Sequence, residues 1–498
     1  MLSVPSPLSL ATTTNAASVA HQLTELSLML RPIMERAGLA LSFSALSSPH
    51  VVVVDATQNP TSAYKIRGAL AALSIARRQG AHSVWTASAG NHGAGVAYAA
   101  KLLGMTATIY VPENAPQVKV AKIEHFGATV IRTGSSFDEC LTYAKADQKG
   151  RPDTPRFVHP FDDLAVAAGQ GTIGLELLEH AALRCAQQNF SSVRIFLPIG
   201  GGGLAAGVAS AVKTLWPACL PPPEVVGVID EGSPASMLGM SFGRPIHAVP
   251  DTIADGTKVA RVGETFLDVA HLVDTVMLVP HDALVDTMHR FYQVTGRMIE
   301  PSGALALTAE RLSRYHDLFR DGGKALSLPI VSGTNVDPDT FTDTVSRPTR
   351  VNSESHVRSA YDVRIPEEAG QLLHFLRTVA PFNITSLTYK QTVGRDLGSL
   401  RVEFELEHHQ HTQLRAALDA DFPGSCELSN GEQMLFSNVS PIASEYRDDV
   451  ITLDDTPGSF RAHIEQIRAA GNLGSVGFLY YRKPSRPGSL SQVVLGRR

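Results

Sequence analysis

The feature that most constrains this chain is an alternation. From Val51 to Asn335, short apolar or β-branched runs trade places with stretches of helical periodicity: Val51 to Val54, a helix after Lys65, Ser83 to Thr86, a helix after Asn91, Thr106 to Val111, a helix over Gln117 to Phe126, Ala128 to Ile131 and a helix over Ser136 to Ala146. Beyond these, the runs Val193 to Leu197, Val225 to Ile229 and Ala325 to Ile330 are set among helices over Gly171 to His180, Leu204 to Leu215, His281 to Tyr292 and Ser302 to Tyr315. This order predicts an α/β fold, a mostly parallel sheet with helices on both faces. Such sheets bind ligands at the carboxyl ends of their strands.

At the first of those ends lies Ser62-Ala63-Tyr64-Lys65-Ile66-Arg67-Gly68-Ala69. Lys65 follows the turn-forming run Thr57 to Thr61 and heads a helix whose apolar positions Ile66, Ala69, Leu70, Leu73 and Ala76 make one inward face. An ammonium on that face is costly to bury, so the lysine is paired, expelled to the surface, or used as the neutral amine that Schiff-base chemistry needs. Three further segments favour the last. Thr86-Ala87-Ser88-Ala89-Gly90-Asn91-His92-Gly93 leaves backbone N–H groups at a helix N-terminus, a site for a carboxylate. Gly200, Gly201, Gly202 and Gly203 follow an apolar strand and open a helix at Leu204, a turn whose main chain can wrap a phosphate. Ser332, at the end of the last strand, offers a ring nitrogen a hydroxyl without imposing charge. An amine, an anion nest and a neutral hydroxyl together describe a pocket for pyridoxal 5'-phosphate.

With these segments in view, the chain from about Asn59 to Asn335 resembles the serine/threonine dehydratases of the tryptophan-synthase-β-like class of pyridoxal phosphate enzymes. The resemblance rests on the Lys65 segment, Thr86 to His92, His159-Pro160-Phe161-Asp162, Gly169-Gln170-Gly171-Thr172, Gly200 to Gly203, Ala254-Asp255-Gly256, Glu300-Pro301-Ser302-Gly303-Ala304 and Ser332-Gly333-Thr334-Asn335. Any one is weak; all of them in this order are specific. The resemblance implies a fold-type II catalytic domain of two open twisted-sheet lobes over residues 51–345. It implies that Lys65 carries the cofactor, Asn91 bonds its 3-oxygen, Gly200 to Leu204 hold its phosphate and Ser332 meets its ring nitrogen. The substrate carboxylate would lie on Ser88, Ala89, Asn91 and His92. The implied activity is dehydration and deamination of L-threonine, and of L-serine, to a keto acid and ammonia.

Several positions depart from the family pattern. Val51 to Thr57 lacks the usual basic and acidic pair, Tyr64 replaces a commoner phenylalanine, and Ile229 stands where a metal-linked glutamate is usual, with Asp230 and Glu231 just after. A bound cation is therefore left open. Racemases of the class carry an acid-base serine where this chain has Ala89, which cannot move a proton. Asn59-Pro60-Thr61 is reminiscent of β-replacement enzymes and threonine synthases, although the tripeptide also serves simply as a turn. Two other classes compete. Gly201 to Ala206 matches the G-x-G-x-x-A of nucleotide-binding turns, with Glu224 downstream, but that reading leaves Lys65 unexplained. A non-catalytic amino-acid sensor would be expected to have lost Lys65, Ser332 or the glycine run, and all are present.

Composition excludes other partners. With 498 residues, 44% of them hydrophobic, the chain can bury a sizeable core. Its 43 basic and 48 acidic residues, net charge -5, give no basic surface for nucleic acid. No apolar run reaches the roughly 18 residues of a membrane span. Cys140, Cys185, Cys219 and Cys426 are scattered, which fits a reducing compartment. Residues 1–50 read as a tail and an amphipathic helix over His21 to Leu41. Met1 to Ala20 is poor in acids like an organellar transit segment but also lacks the arginines of one, so cytoplasm and plastid or mitochondrion both stay open.

Residues 346–358 read as a linker, and 359–498 as two related lobes, Asp362 to Lys390 and Val450 to Arg482, with glycine (Gly370, Gly458) and asparagine (Asn383, Asn472) at nearly matched offsets. The pattern resembles the ACT-like α+β regulatory regions of biosynthetic threonine dehydratases, the second copy shortened, with partner strands from the first copy or from another subunit. That implies isoleucine or valine as effectors and a homo-oligomer.

Overall fold

The structure is a computed structural model. It describes residues 16–346 apart from 46–47, 136, 150–154, 320 and 323, and then 356–366, 371–390, 397–428, 435–437, 447–453, 460, 464, 466, 476–482 and 491–497. The linker expected at 346–358 and the transit-like segment therefore fall largely outside the described residues, as do Gly370, Gly458 and Asn472.

The alternating region builds two sheets. A four-stranded, all-parallel sheet runs Thr129–Arg132, Thr106–Val111, Ser83–Ala87, Arg156–Phe157. A seven-stranded sheet runs Ser42–Ala45, Val52–Asp55, Leu326–Val331, Val193–Pro198, Pro223–Asp230, Thr275–Val279, Leu435–Ser437; its five inner strands are parallel and both edges antiparallel. The inner strands are buried on both faces, which is why they read as continuous apolar runs. Thr275–Val279 is absent from the sequence reading, although it is as long as Ser83–Ala87 and lies as a mostly apolar run between Asp274 and Pro280.

Two helices also differ from expectation. The N-terminal helix spans Ala16–Arg36 and ends before Gly38, whose φ of 68° is left-handed. The helix expected from Gly171 starts at Leu164, where the Asp163 carboxylate accepts from the N–H groups of Ala165 and Val166, and it continues to Gln187. Its glycines do not break it because neighbouring helices close on them. A Cβ at Gly169 would lie 2.6 Å from Ala71 Cβ, and one at Gly171 would lie 2.3 Å from Ser27 Oγ. Ser27 Oγ bonds Ala168 O at 2.8 Å, tying the first helix to this one.

The third sheet is C-terminal and antiparallel, with its own apolar core around Phe375, Phe404, Leu414 and Leu479. Strand His356–Pro366, helix Gln371–Thr378, strands Asn383–Lys390 and Leu397–Glu407, helix His408–Asp421 and strand Cys426–Leu428 form one β-α-β-β-α-β unit. Strands Arg447–Leu453, Val476–Arg482 and Ser491–Arg497 continue the same sheet, Leu387 opposite Tyr481. The partner strands of the second copy thus come from the first.

The helix crossing at Gly207 generates a test. A Cβ there would sit 2.0 Å from Ala167 O, a backbone atom that cannot move aside. Gly207→Ala is expected to destabilise by about 1–3 kcal/mol, read as a lower urea midpoint.

Candidate active site

Strands Val52–Asp55, Leu326–Val331 and Val193–Pro198 are neighbours in the large sheet, so the loops after them emerge side by side. The loop before Lys65 is stitched to the loop at Ser332: Tyr64 N–H donates to Ser332 O at 3.1 Å, Thr334 N–H donates to Ser62 O at 3.0 Å, and Ala63 bridges Gly333. Ser62 sits at φ 56°, a left-handed conformation uncommon outside glycine. The third loop is the glycine run. Gly202 has φ 93°, and Cβ atoms at Gly201 and Gly202 would fall within 2.1 Å of the Phe161 ring and 2.3 Å of the Phe266 side chain. Only glycine fits there, and the run leads into helix Gly203–Leu215, whose first-turn N–H groups lack intrahelical acceptors.

These loops border a cavity lined by Lys65, Asn91, Gly200 to Leu204, Ser332, Glu300 and Ser302 among others. Lys65 Nζ donates to Pro160 O at 3.0 Å. Burial pushes its pKa down to about 8, opposed by the charge of Glu300. Burial likewise pushes Glu300 up to about 7, although the Asn91 amide, 2.7 Å away, favours the carboxylate. Ser332 Oγ lies 3.3 Å from Ser302 O.

The structure brings Lys65, Asn91, Gly200 to Leu204 and Ser332 together. Ser88, Ala89 and His92 are not among the cavity's lining residues. Ser88 Oγ accepts from Gly90 N–H at 3.3 Å, closing the turn before helix Asn91–Leu103. His92 is buried, its Nε2 3.1 Å from Val158 O, and burial and then nearby Lys65 push its pKa down to about 3. Its ring is neutral and turned under the helix. His159 Nδ1 accepts from Asp162 N–H at 2.9 Å, a loop-shaping contact, and Asp255 pairs with Lys119 at 2.8 Å. Glu300, Ser302 and Phe161 have no site role in the sequence reading. For Glu300 and Ser302 the signal was the Glu300-Pro301 start of helix Pro301–Tyr315, where proline occupies the first turn, and for Phe161 it was the segment His159 to Asp162. Among the described residues no group of three or more His, Cys, Asp or Glu could hold a metal ion, and no helix is long and apolar enough to cross a membrane.

An amine that burial can neutralise, a glycine-lined helix start and an uncharged hydroxyl around one cavity define a site for a carbonyl-bearing, phosphorylated ring. The donors fit pyridoxal phosphate, and the buried Ser302 Oγ, without a hydrogen-bond partner among the described residues, leaves a polar atom for a ligand to satisfy. The profile of the family described as pyridoxal-phosphate dependent enzyme matches residues 39–328, and the chain belongs to that family. It is 36% identical over 338 residues to the biosynthetic L-threonine dehydratase IlvA of Pasteurella multocida, a match covering 67% of this chain and 62% of that one. It is 38% identical over 290 residues to an L-threonine ammonia-lyase of Geobacter sulfurreducens, covering 58% and 67%. The chain thus spans less than two thirds of the Pasteurella relative's length. Among solved structures, threonine deaminase isoform 2 of Solanum lycopersicum is similar with a TM-score of 0.57 and 28% identity, over 70% of this chain and 99% of that one. Maize serine racemase reaches 0.56 and 29%, over 64% and 96%. The catalytic half is therefore a fold-type II α/β domain.

The raised Glu300 pKa has a consequence for stability. Between the ordinary carboxyl value and about pH 7 the folded state holds a proton that the unfolded chain has released, so this group's contribution falls as pH rises through that window. Glu300→Gln, neutral throughout, is expected to flatten the decline of the thermal midpoint between pH 5 and 7.5. Parallel profiles for the two proteins would contradict it.

Proposed function

We propose that the chain is a lyase that removes water and ammonia from L-threonine, and from L-serine, leaving 2-oxobutanoate or pyruvate, as in the first step of isoleucine synthesis. The observation that carries this reading is the buried Lys65 amine, held down to about 8 beside an uncharged Ser332 and a glycine-lined helix start. Pyridoxal phosphate, when bound, supplies an aldehyde for that amine and a ring that accepts carbanion charge. Gly200 to Leu204 would hold its phosphate, Asn91 would meet its 3-oxygen and Ser332 its ring nitrogen. Lys65 Nζ is the base that takes the substrate's Cα proton, and the turn from Ser88 to His92 binds the carboxylate through its main chain. Ser332, being neutral, keeps the ring nitrogen largely unprotonated, which moderates the electron sink and favours elimination over transamination. Maize serine racemase shares the fold to much the same degree as tomato threonine deaminase, so the fold does not separate racemisation from elimination. Residue 89 does, because alanine has no hydroxyl to return a proton from the opposite face.

Residues 51–345 are the catalytic unit in this reading. Residues 359–498 are an ACT-like regulatory region that takes isoleucine or valine, supported by the β-α-β-β-α-β order of the first copy and the continuation of its sheet by the second. The protein works as a homo-oligomer in the cytoplasm or in an organelle; the relative from Arabidopsis thaliana is described as chloroplastic.

Lys65→Ala is expected to lose the visible absorbance of lysine-bound cofactor and to lower keto-acid release by about a thousandfold or more. An intact band would move the anchor to another lysine; Lys258 is exposed. Keto-acid release from L-threonine and L-serine, assayed side by side, tests the substrate class; release from neither sinks the lyase reading. In the full-length enzyme isoleucine is expected to raise the threonine concentration for half-maximal rate, since an effector acts only by binding one state better than another. No response to isoleucine, valine or leucine would remove the regulatory role.

A further inference from the structure

Behind Asn91 runs a row of hydrogen bonds whose polarity is set at its far end, by Lys122 together with the carbonyl of Thr61. Lys122, half-buried on helix Gln117–His125, donates its ammonium to Thr61 O at 3.0 Å and to Asn335 Oδ1. Asn335 Nδ2 donates to Asn91 Oδ1 and to Thr61 O, both at 2.6 Å, and Asn91 Nδ2 donates to Glu300 Oε1 at 2.7 Å. An amide offers a donor at one end and an acceptor at the other, so it can be turned end for end unless a neighbour is one-sided. Glu300 is not one-sided: a carboxyl near neutrality between acid and carboxylate can accept from Asn91 or donate to it. Lys122 is, because an ammonium has three donors and no acceptor, and so is Thr61 O, a main-chain carbonyl that only accepts. Asn335 must therefore turn its oxygen to Lys122 and its nitrogen to Asn91, and Asn91 must answer with its oxygen, leaving its N–H groups for Glu300 and the cavity it lines.

We propose that Lys122 is a positioning residue for the cofactor: through Asn335 it fixes Asn91 so that an N–H, and not a carbonyl oxygen, faces the cofactor's 3-oxygen. The proposal rests on the placement of that oxygen at Asn91 given above. A donor there stabilises the ionised oxygen, whereas a carbonyl oxygen would oppose it. The row also crosses between lobes. Lys122 belongs to a helix beside the four-stranded sheet, while Thr61 and Asn335 lie in loops of the seven-stranded one.

The test uses full-length holoenzyme. Wild type, Lys122→Met, Lys122→Arg, Asn335→Asp and Asn91→Ala are titrated with pyridoxal phosphate and their absorbance spectra recorded. Lys122→Met is expected to bind the cofactor roughly tenfold more weakly and to move intensity from the visible band of the ionised 3-oxygen to the near-ultraviolet band of its neutral form. Lys122→Arg, again a donor without an acceptor, is expected to restore both. Asn335→Asp keeps an acceptor against Lys122 but offers Asn91 only oxygen, and is expected to shift the band in the same direction as Lys122→Met. If Lys122→Met lowers only the thermal midpoint and leaves spectrum and affinity as in wild type, Lys122 is a strut and the proposal fails. An unshifted spectrum in Asn91→Ala would fail it for a different reason, by showing that the 3-oxygen lies elsewhere, and threonine turnover in the wild type separates either result from failure of the lyase reading.

Discussion

Everything at the site depends on the short antiparallel stitch between the chain at Ser62 to Tyr64 and the chain at Ser332 to Thr334. Two main-chain hydrogen bonds and the Ala63–Gly333 bridge hold a loop from one strand of the large sheet against the end of its neighbour. Lys65 stands next to that stitch, at the head of a helix buried from Ile66 to Ser74. There the amine is carried under Pro160 and its charge becomes expensive. The same stitch fixes Gly333, where a Cβ would lie 1.7 Å from Glu300 Oε1. Glycine at that position is thus what admits a carboxyl group behind Ser332.

Around this constraint the elements divide by how they reach the cavity. The glycine run and Ser332 stand at strand ends, Lys65 and Asn91 head the helices that follow a strand and its loop, and each is of a type with distinctive chemistry or backbone freedom. Those groups were legible in the sequence because strand ends and turn residues are local signals. Glu300 and Ser302 arrive on a helix far along the chain, and only tertiary approach sets them beside Asn91. Nothing local distinguishes Glu300 from a helix-capping glutamate.

The misread elements share a cause. Gly169 and Gly171 look like helix breakers, yet they lie inside a long helix because Ala71, Ser27 and Gly207 occupy the space their side chains would need. Intrinsic propensity yielded to packing there. His92 is a polar residue in a functional segment whose ring serves the interior, bonded to Val158 O. A motif fixes which backbone passes the site without fixing where each of its side chains turns.

The last strand of the catalytic sheet, Leu435–Ser437, comes from the C-terminal half of the chain. During synthesis the edge of Thr275–Val279 therefore stays uncovered until the ribosome has passed residue 437, long after every group around Lys65 has been made. An uncovered parallel edge invites pairing with other chains. The strand that covers this edge is delivered by the segment between the two C-terminal copies.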